Sequence, residues 1–148
     1  MMKCTLALGC FWKPEENFKN KPGIIDTEVG YAGGKKAQVT YKEVCTGKTG
    51  HAEVVRLTFD EKIITFKEIL DLFFKMHDPT QKDMQYPDIG TQYRSEIFYE
   101  NETQKKDAEE IVKNQNIKFE GKIETNISKI KNYCKAEDYH QKYIEKNS

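Results

Sequence analysis

The chain has 148 residues, enough for one hydrophobic core, and its 24 Lys plus Arg balance 24 Asp plus Glu to a formal net charge of zero. That balance removes the electrostatic footprint expected of a nucleic-acid or anionic-membrane binder, and the 17 aromatic residues (eight Tyr, eight Phe, one Trp) argue against disorder. No apolar run approaches the ~20 residues needed to span a bilayer or resembles a signal-peptide core, so a single cytoplasmic domain over residues 1–148 is expected.

In chain order, Cys4 to Leu8 reads as a short apolar strand that stops at Gly9. Phe11 to about Lys19 reads as a helix, with Pro14 tolerated because it lies in the first turn. Gly23 to Tyr31 suits a second strand, followed by a Gly-Gly loop and a polar, loop-like stretch through Gly50. From His51 to Asp60 the pattern alternates, placing Glu53, Val55, Leu57 and Phe59 on one face of a third strand. Thr65 and Glu68 form a capping-box signature for a helix through Met76, with Phe66, Ile69, Leu70 and Phe73 at helical spacing. "HDP" ends that helix, and after a long loop residues 93–100 read as a strand. Residues 103–116 form a charged helix with a thin apolar face at Ala108, Ile111 and Val112; 122–130 suit a strand, and "AEDYHQKYIEK" a last short helix. The first six elements follow the βαββαβ order. They predict an α+β fold with a ferredoxin-like core, a two-layer sandwich extended by a helix, a strand and a C-terminal short helix. That fold carries no function by itself.

Cysteines at 4, 10, 45 and 134 show neither C-x-x-C pairs nor zinc-type spacing, so free thiols and no metal are expected. Cys10 stands where a strand gives way to a helix. Backbone N–H groups and the helix macrodipole favour a thiolate there, while Glu15 and Glu16 oppose it. A cysteine merely closing the strand fits the same position. Phe11 and Trp12 are either core aromatics of the first helical turn or an apolar wall beside the thiol. Glu53 points inward by strand alternation, where a carboxyl group tends to stay protonated and can act as a general acid. The plainer reading is a strand-end glutamate bonded to backbone or to His51. Tyr41 and Tyr93 lie in Gly-rich, loop-like surroundings and are hydrogen-bond donors or half-buried packing residues. Together these residues suit thiol attack on an electrophilic centre whose oxygen must be protonated.

"GCFW", "TYKEVCTGKTGHAEVV", "HDPT", "DIGTQYRS" and "AEDYHQKY" follow one another from about residue 5 to residue 143. In these motifs and their order the chain resembles the peptide methionine sulfoxide reductase A family. The resemblance implies reduction of the S epimer of methionine sulfoxide, free or in oxidised proteins, without a cofactor and by a monomer. It makes Cys10 the nucleophile that attacks sulfur and Phe11 with Trp12 the pocket for the substrate methyl group. Glu53 would protonate the oxygen, Tyr41 and Tyr93 would hydrogen-bond it, and Asp88 would help arrange the site. The attack would leave Cys10 as a sulfenic acid, to be reduced by thioredoxin or a small-molecule thiol. Many relatives resolve that acid with cysteines in a Gly-rich C-terminal tail, whereas this sequence ends "HQKYIEKNS". The internal candidates are then Cys134, which immediately precedes the last motif, and Cys45, four residues from Tyr41. Cys4 is the poorest, ~20 Å from Cys10 along an extended strand. The other route is a one-cysteine enzyme served by an external thiol. Lys13-Pro14 departs from the Gly and small residue common at those positions.

Overall fold

The computed structural model describes residues 1–147. Its first five elements are β1 (Met2–Leu8), α1 (Trp12–Lys19), β2 (Ile24–Ala32), α2 (Tyr41–Cys45) and β3 (Ala52–Phe59). There follow α3 (Phe66–Met76), a two-residue hairpin of β4 (Met84–Gln85) and β5 (Asp88–Ile89), and β6 (Ser95–Tyr99). The chain closes with α4 (Glu102–Lys118), β7 (Asn126–Lys129), β8 (Cys134–Lys135) and α5 (Tyr143–Lys146).

The sheet order is β7-β6-β1-β3-β2-β8. Its inner four strands, β6-β1-β3-β2, are antiparallel throughout, which is the predicted ferredoxin-like arrangement. The added strand β7 runs parallel to β6 on one edge, and β8 runs antiparallel to β2 on the other. Strand alternation divides the core as expected. Val55, Leu57 and Phe59 join Leu6, Leu8 and Val29 under Phe18, Ile69, Leu70, Phe73, Ala108 and Ile111 from the helices. On the opposite face a smaller cluster of Ala7, Ala32, Ala52, Val54 and Phe98 is covered by Ile130 and Tyr133. Helices on one face of the sheet make the two-layer sandwich.

The capping box that opens α3 forms reciprocally, with Thr65 Oγ1 accepting the Glu68 N–H at 3.1 Å and Glu68 Oε1 accepting the Thr65 N–H at 3.0 Å. Four regions depart from the sequence reading, one of them the two-residue edge strand β8, an added strand the sequence reading lacks. The polar stretch before Gly50 contains α2, opened by a second capping box between Thr40 and Glu43. The long loop before β6 holds the β4–β5 hairpin and a 3₁₀ turn over Thr91–Tyr93. The last helix is broken, with a 3₁₀ turn over Asp138–His140 and then Lys142 at φ +50° before α5. Tertiary partners claim the backbone and side chains at that break. The Gln141 amide bonds both the N–H and C=O of Val29, and the Lys142 N–H donates to Glu15 Oε1 at 2.7 Å. Among the described residues no helix is long and apolar enough to cross a membrane, and no cluster of three His, Cys, Asp or Glu could hold a metal ion.

Candidate active site

β1 ends at Leu8, and Gly9, at φ +97°, turns the chain into Cys10 just ahead of α1. A positive φ of that size strains any side-chain-bearing residue, which is why the turn carries glycine. Cys10 is half-buried, and the Trp12 backbone N–H hydrogen-bonds its sulfur. That bond lowers the thiol pKa, as the helix-start argument anticipates, but burial outweighs it. Burial, with the Glu53 and Asp88 carboxyl groups added to it, pushes Cys10 up to about 11. The thiol is therefore protonated at neutral pH. Glu15 and Glu16 are not the carboxylates that act on it. Glu15 is buried and takes up Thr27 Oγ1 at 2.7 Å together with the Lys142 N–H, and Glu16 pairs with Lys19 at 2.9 Å.

Glu53 lies in β3, opposite Tyr31 of β2, with 1% of its surface exposed. Its Oε1 accepts the Phe11 N–H at 3.3 Å, while Oε2 is buried with no hydrogen-bond partner among the described residues. Burial pushes this carboxyl group up to about 8; the Phe11 N–H draws it down and Asp88 adds to the rise. A neutral carboxylic acid with one oxygen uncommitted thus stands next to a protonated thiol. Its backbone partner is Phe11, not His51.

The aromatic residues divide. Phe11 is almost wholly buried, its ring 5.7 Å from Tyr31 and 5.1 Å from His140. Trp12 is half-buried, stacked on Tyr143 at 3.7 Å, and its Nε1–H donates to His140 Nδ1 at 3.0 Å. The Tyr41 hydroxyl hydrogen-bonds to the Cys45 thiol and to Tyr93, and both tyrosines feel the Glu53 carboxyl group. Burial pushes both hydroxyls up, so they remain donors at neutral pH. Asp88, in the β4–β5 hairpin, completes the group by its electrostatic reach to Cys10 and Glu53.

The remaining cysteines occupy different settings. Cys4 is fully buried in β1, and desolvation holds its thiol far above the ordinary range. Cys134, on β8, pairs with Tyr31, which pairs in turn with Glu53, and its Sγ lies 3.6 Å from the Val39 carbonyl. Two strand spacings, ~10 Å, thus separate the backbones of Cys134 and Glu53. Cys45 is exposed at the end of α2 and does not pack in the core.

Sequence reasoning left Tyr31, Glu137, His140 and Tyr143 without roles. Glu137 accepts the Tyr31 hydroxyl at 2.8 Å and the Tyr41 N–H at 2.9 Å, tying the C-terminal segment to the start of α2. His140 and Tyr143 lie in or beside the last motif, but only their contacts with Phe11 and Trp12 reveal the connection. A cavity of about 520 Å³ lies at the far end of β1, between the starts of α3 and α4, and is lined by none of these side chains.

Residues 2–148 match the family model described as Peptide methionine sulfoxide reductase. The Peptide methionine sulfoxide reductase MsrA of Pelagibacter ubique is 57% identical over 142 residues, covering 96% of this chain and 97% of that protein. Among solved structures, Mxr1 from Saccharomyces cerevisiae in reduced form superposes with a TM-score of 0.95 at 42% identity, over 99% of this chain and 85% of that one. The same yeast protein in complex with Trx2 matches with a TM-score of 0.69 at 30% identity, over 96% of this chain and 84% of that one. A protonated thiol beside a buried carboxylic acid and two hydroxyl donors suits the chemistry of these relatives, and the chain belongs to the peptide methionine sulfoxide reductase A family as an enzyme that reduces methionine sulfoxide.

Proposed function

We propose that residues 1–148 form one catalytic domain that reduces the S epimer of methionine sulfoxide, free or protein-bound, by attack of Cys10 on the sulfoxide sulfur. A sulfoxide carries positive charge on sulfur and negative charge on oxygen, so attack requires the oxygen to be neutralised. Glu53 supplies the proton, and the Tyr41 and Tyr93 hydroxyls hydrogen-bond the oxygen as its charge develops. As the Cys10 sulfur forms its new bond, the thiol proton passes to Glu53, which is restored for the next cycle. The protonated oxygen then transfers as hydroxyl from the methionine sulfur to the Cys10 sulfur: the methionine S–O bond and the new sulfur–sulfur bond break, a Cys10 S–O bond forms, and methionine leaves with Cys10 as a sulfenic acid. Phe11 and Trp12 receive the methyl group, and Asp88 adds to the burial that keeps Glu53 in its acid form.

The observation that carries this reading is the buried Glu53 carboxyl group, bonded through one oxygen to the residue after Cys10 and uncommitted at the other. The sulfenic acid is then reduced either internally, through Cys134 or Cys45, or by thioredoxin or a small thiol acting on Cys10 itself. The yeast relative's complex with Trx2 supports thioredoxin as the final reductant. The site needs no cofactor for this cycle, and we place it in the cytoplasm as a monomer.

The test is incubation with dithiothreitol and the separate S and R epimers of a methionine sulfoxide peptide. Turnover of the S epimer alone is expected, and turnover of the R epimer alone would overturn the assignment of stereochemistry.

A further inference from the structure

Gly9 leaves room on its outer side for one neighbour, and that neighbour is Gln85. A Cβ placed on Gly9 would lie 2.9 Å from Gln85 Cγ and 3.0 Å from Gln85 Cβ. The methylenes of Gln85 therefore rest on the backbone adjoining Cys10. Its carboxamide is held at both ends by a single residue. The Asp78 N–H donates to Oε1 at 3.1 Å, and Nε2 donates to the Asp78 carbonyl at 2.5 Å. This is the pairing a neighbouring strand would make, provided here by a side chain. The clamp is itself anchored, because the Asp78 carboxylate accepts the Thr80 N–H and the Gln81 amide, and Gln81 Oε1 accepts the Tyr86 N–H at 2.7 Å. On the backbone, Gln85 is the register partner of Asp88 in the β4–β5 hairpin. An apolar side chain would cover Gly9 equally well, so the amide is required only for the hold on Asp78.

We propose that Gln85 is a positioning residue for the sulfoxide-reducing step: it clamps Asp78, covers Gly9 and so seats the β4–β5 hairpin with Asp88 at a fixed place beside Cys10 and Glu53. The inference rests on the roles proposed above for Cys10, Glu53 and Asp88. Gln85 acts through Asp88, so its effect must appear in the pH profile and must vanish when Asp88 is already neutral. The other titratable groups facing Glu53 are Cys10, Tyr31, Tyr41 and Tyr93, all pushed up from their ordinary values. A fall in rate near pH 8 therefore reports Glu53, whose acidity Asp88 helps to set.

The experiment measures single-turnover reduction of an S-sulfoxide peptide against pH. It uses the full-length protein and its Gln85→Met, Gln85→Leu, Asp88→Asn and Gln85→Met/Asp88→Asn variants, with thermal melts to verify folding. Gln85→Met keeps the methylenes over Gly9 and loses the clamp; Gln85→Leu does the same with a second uncharged side chain. Asp88→Asn is expected to move the alkaline limb to lower pH, because Glu53 loses a like-charged neighbour. Gln85→Met should move it the same way with a rate loss of about 3- to 10-fold, and the double variant should match Asp88→Asn alone. If Gln85→Met fails to fold, Gln85→Leu carries the same readout. A wild-type rate and limb in the Gln85 variants, beside a shifted limb in Asp88→Asn, would overturn the inference alone, as would additive effects in the double variant. An unmoved limb in Asp88→Asn as well would remove both this inference and the proposed role of Asp88.

Discussion

The Phe11 backbone N–H donates to Glu53 Oε1 across 3.3 Å, joining residues 42 positions apart. That bond places a buried carboxylic acid beside the residue that follows Cys10, and it engages one carboxyl oxygen while leaving the other uncommitted. In a buried setting a neutral acid costs far less than a carboxylate, so the fold itself keeps Glu53 protonated.

Replacing Glu53 by Gln keeps the Phe11 bond and removes the transferable proton. The sulfoxide-reducing step at pH 7 should slow by ~10²-fold, within the range typical of a lost general acid. In the wild-type protein the same step should decline as pH rises through about 8, because the acid form is lost above the Glu53 pKa. Single-turnover rates across pH 6–10 test both, and an unchanged rate in Glu53→Gln at pH 7 would remove Glu53 as the acid.

Cys10→Ser should abolish reduction outright, since a serine hydroxyl cannot replace the thiol that accepts the sulfoxide oxygen and is oxidised to a sulfenic acid. In wild-type protein given substrate but no reductant, mass-spectrometric mapping reads the recycling route. A Cys10–Cys134 or Cys10–Cys45 disulfide identifies the internal thiol. A persistent Cys10 sulfenic acid identifies direct reduction by an external thiol.

Trp12 is held on two sides, by its stack on Tyr143 at 3.7 Å and by its hydrogen bond to His140 at 3.0 Å. Tyr143→Ala should free the indole and raise KM for a methionine sulfoxide peptide by about 3- to 10-fold, with kcat changed less, because the lost contact orders a binding wall and no proton donor. Steady-state kinetics check this, and a loss confined to kcat would contradict it.

His77 links the end of α3 to the start of β6. A carbonyl oxygen can only accept, so His77 Nδ1–H donates to the Phe73 carbonyl at 2.7 Å, and Nε2 accepts the Ser95 hydroxyl at 2.7 Å. Burial lowers its pKa from the ordinary 6.5 to about 4. The unfolded chain therefore binds the proton more readily between those values. The stability that neutral His77 contributes is fully present above pH 6.5 and is lost as pH falls toward 4. Denaturant melts should show a loss on the order of 2–3 kcal/mol over that window, reduced in His77→Gln. An equal pH dependence in both proteins would exclude His77 as its source.

Much of this was legible in the primary structure because it depends on local periodicity. The alternation of Val55, Leu57 and Phe59, the capping box of Thr65 and Glu68 and the apolar face of α3 each involve residues within one element, and all appear as expected. The inward aim of Glu53 followed from the same alternation. The helix at Tyr41–Cys45 was readable too, since Thr40 and Glu43 have capping-box spacing, but its five residues lack an apolar period. Strand β8 has only two residues and forms because β2 offers it an edge, and Gln141 continues that edge pairing with its side chain.

The sequence by itself determined the order of the six core elements, the cysteine at the strand-to-helix turn and the acid facing the core, along with the motifs that resemble the reductase family. Only the tertiary structure decided the ionisation at that turn. Helix-start geometry alone favours a Cys10 thiolate, yet desolvation and two carboxyl groups from distant strands outweigh one backbone hydrogen bond. Likewise, Glu15 is near Cys10 in sequence but turns to Thr27 and Lys142, while Asp88, far away in sequence, acts on the thiol. Burial and charge act through space, and the spacing along the chain does not record where space has been closed.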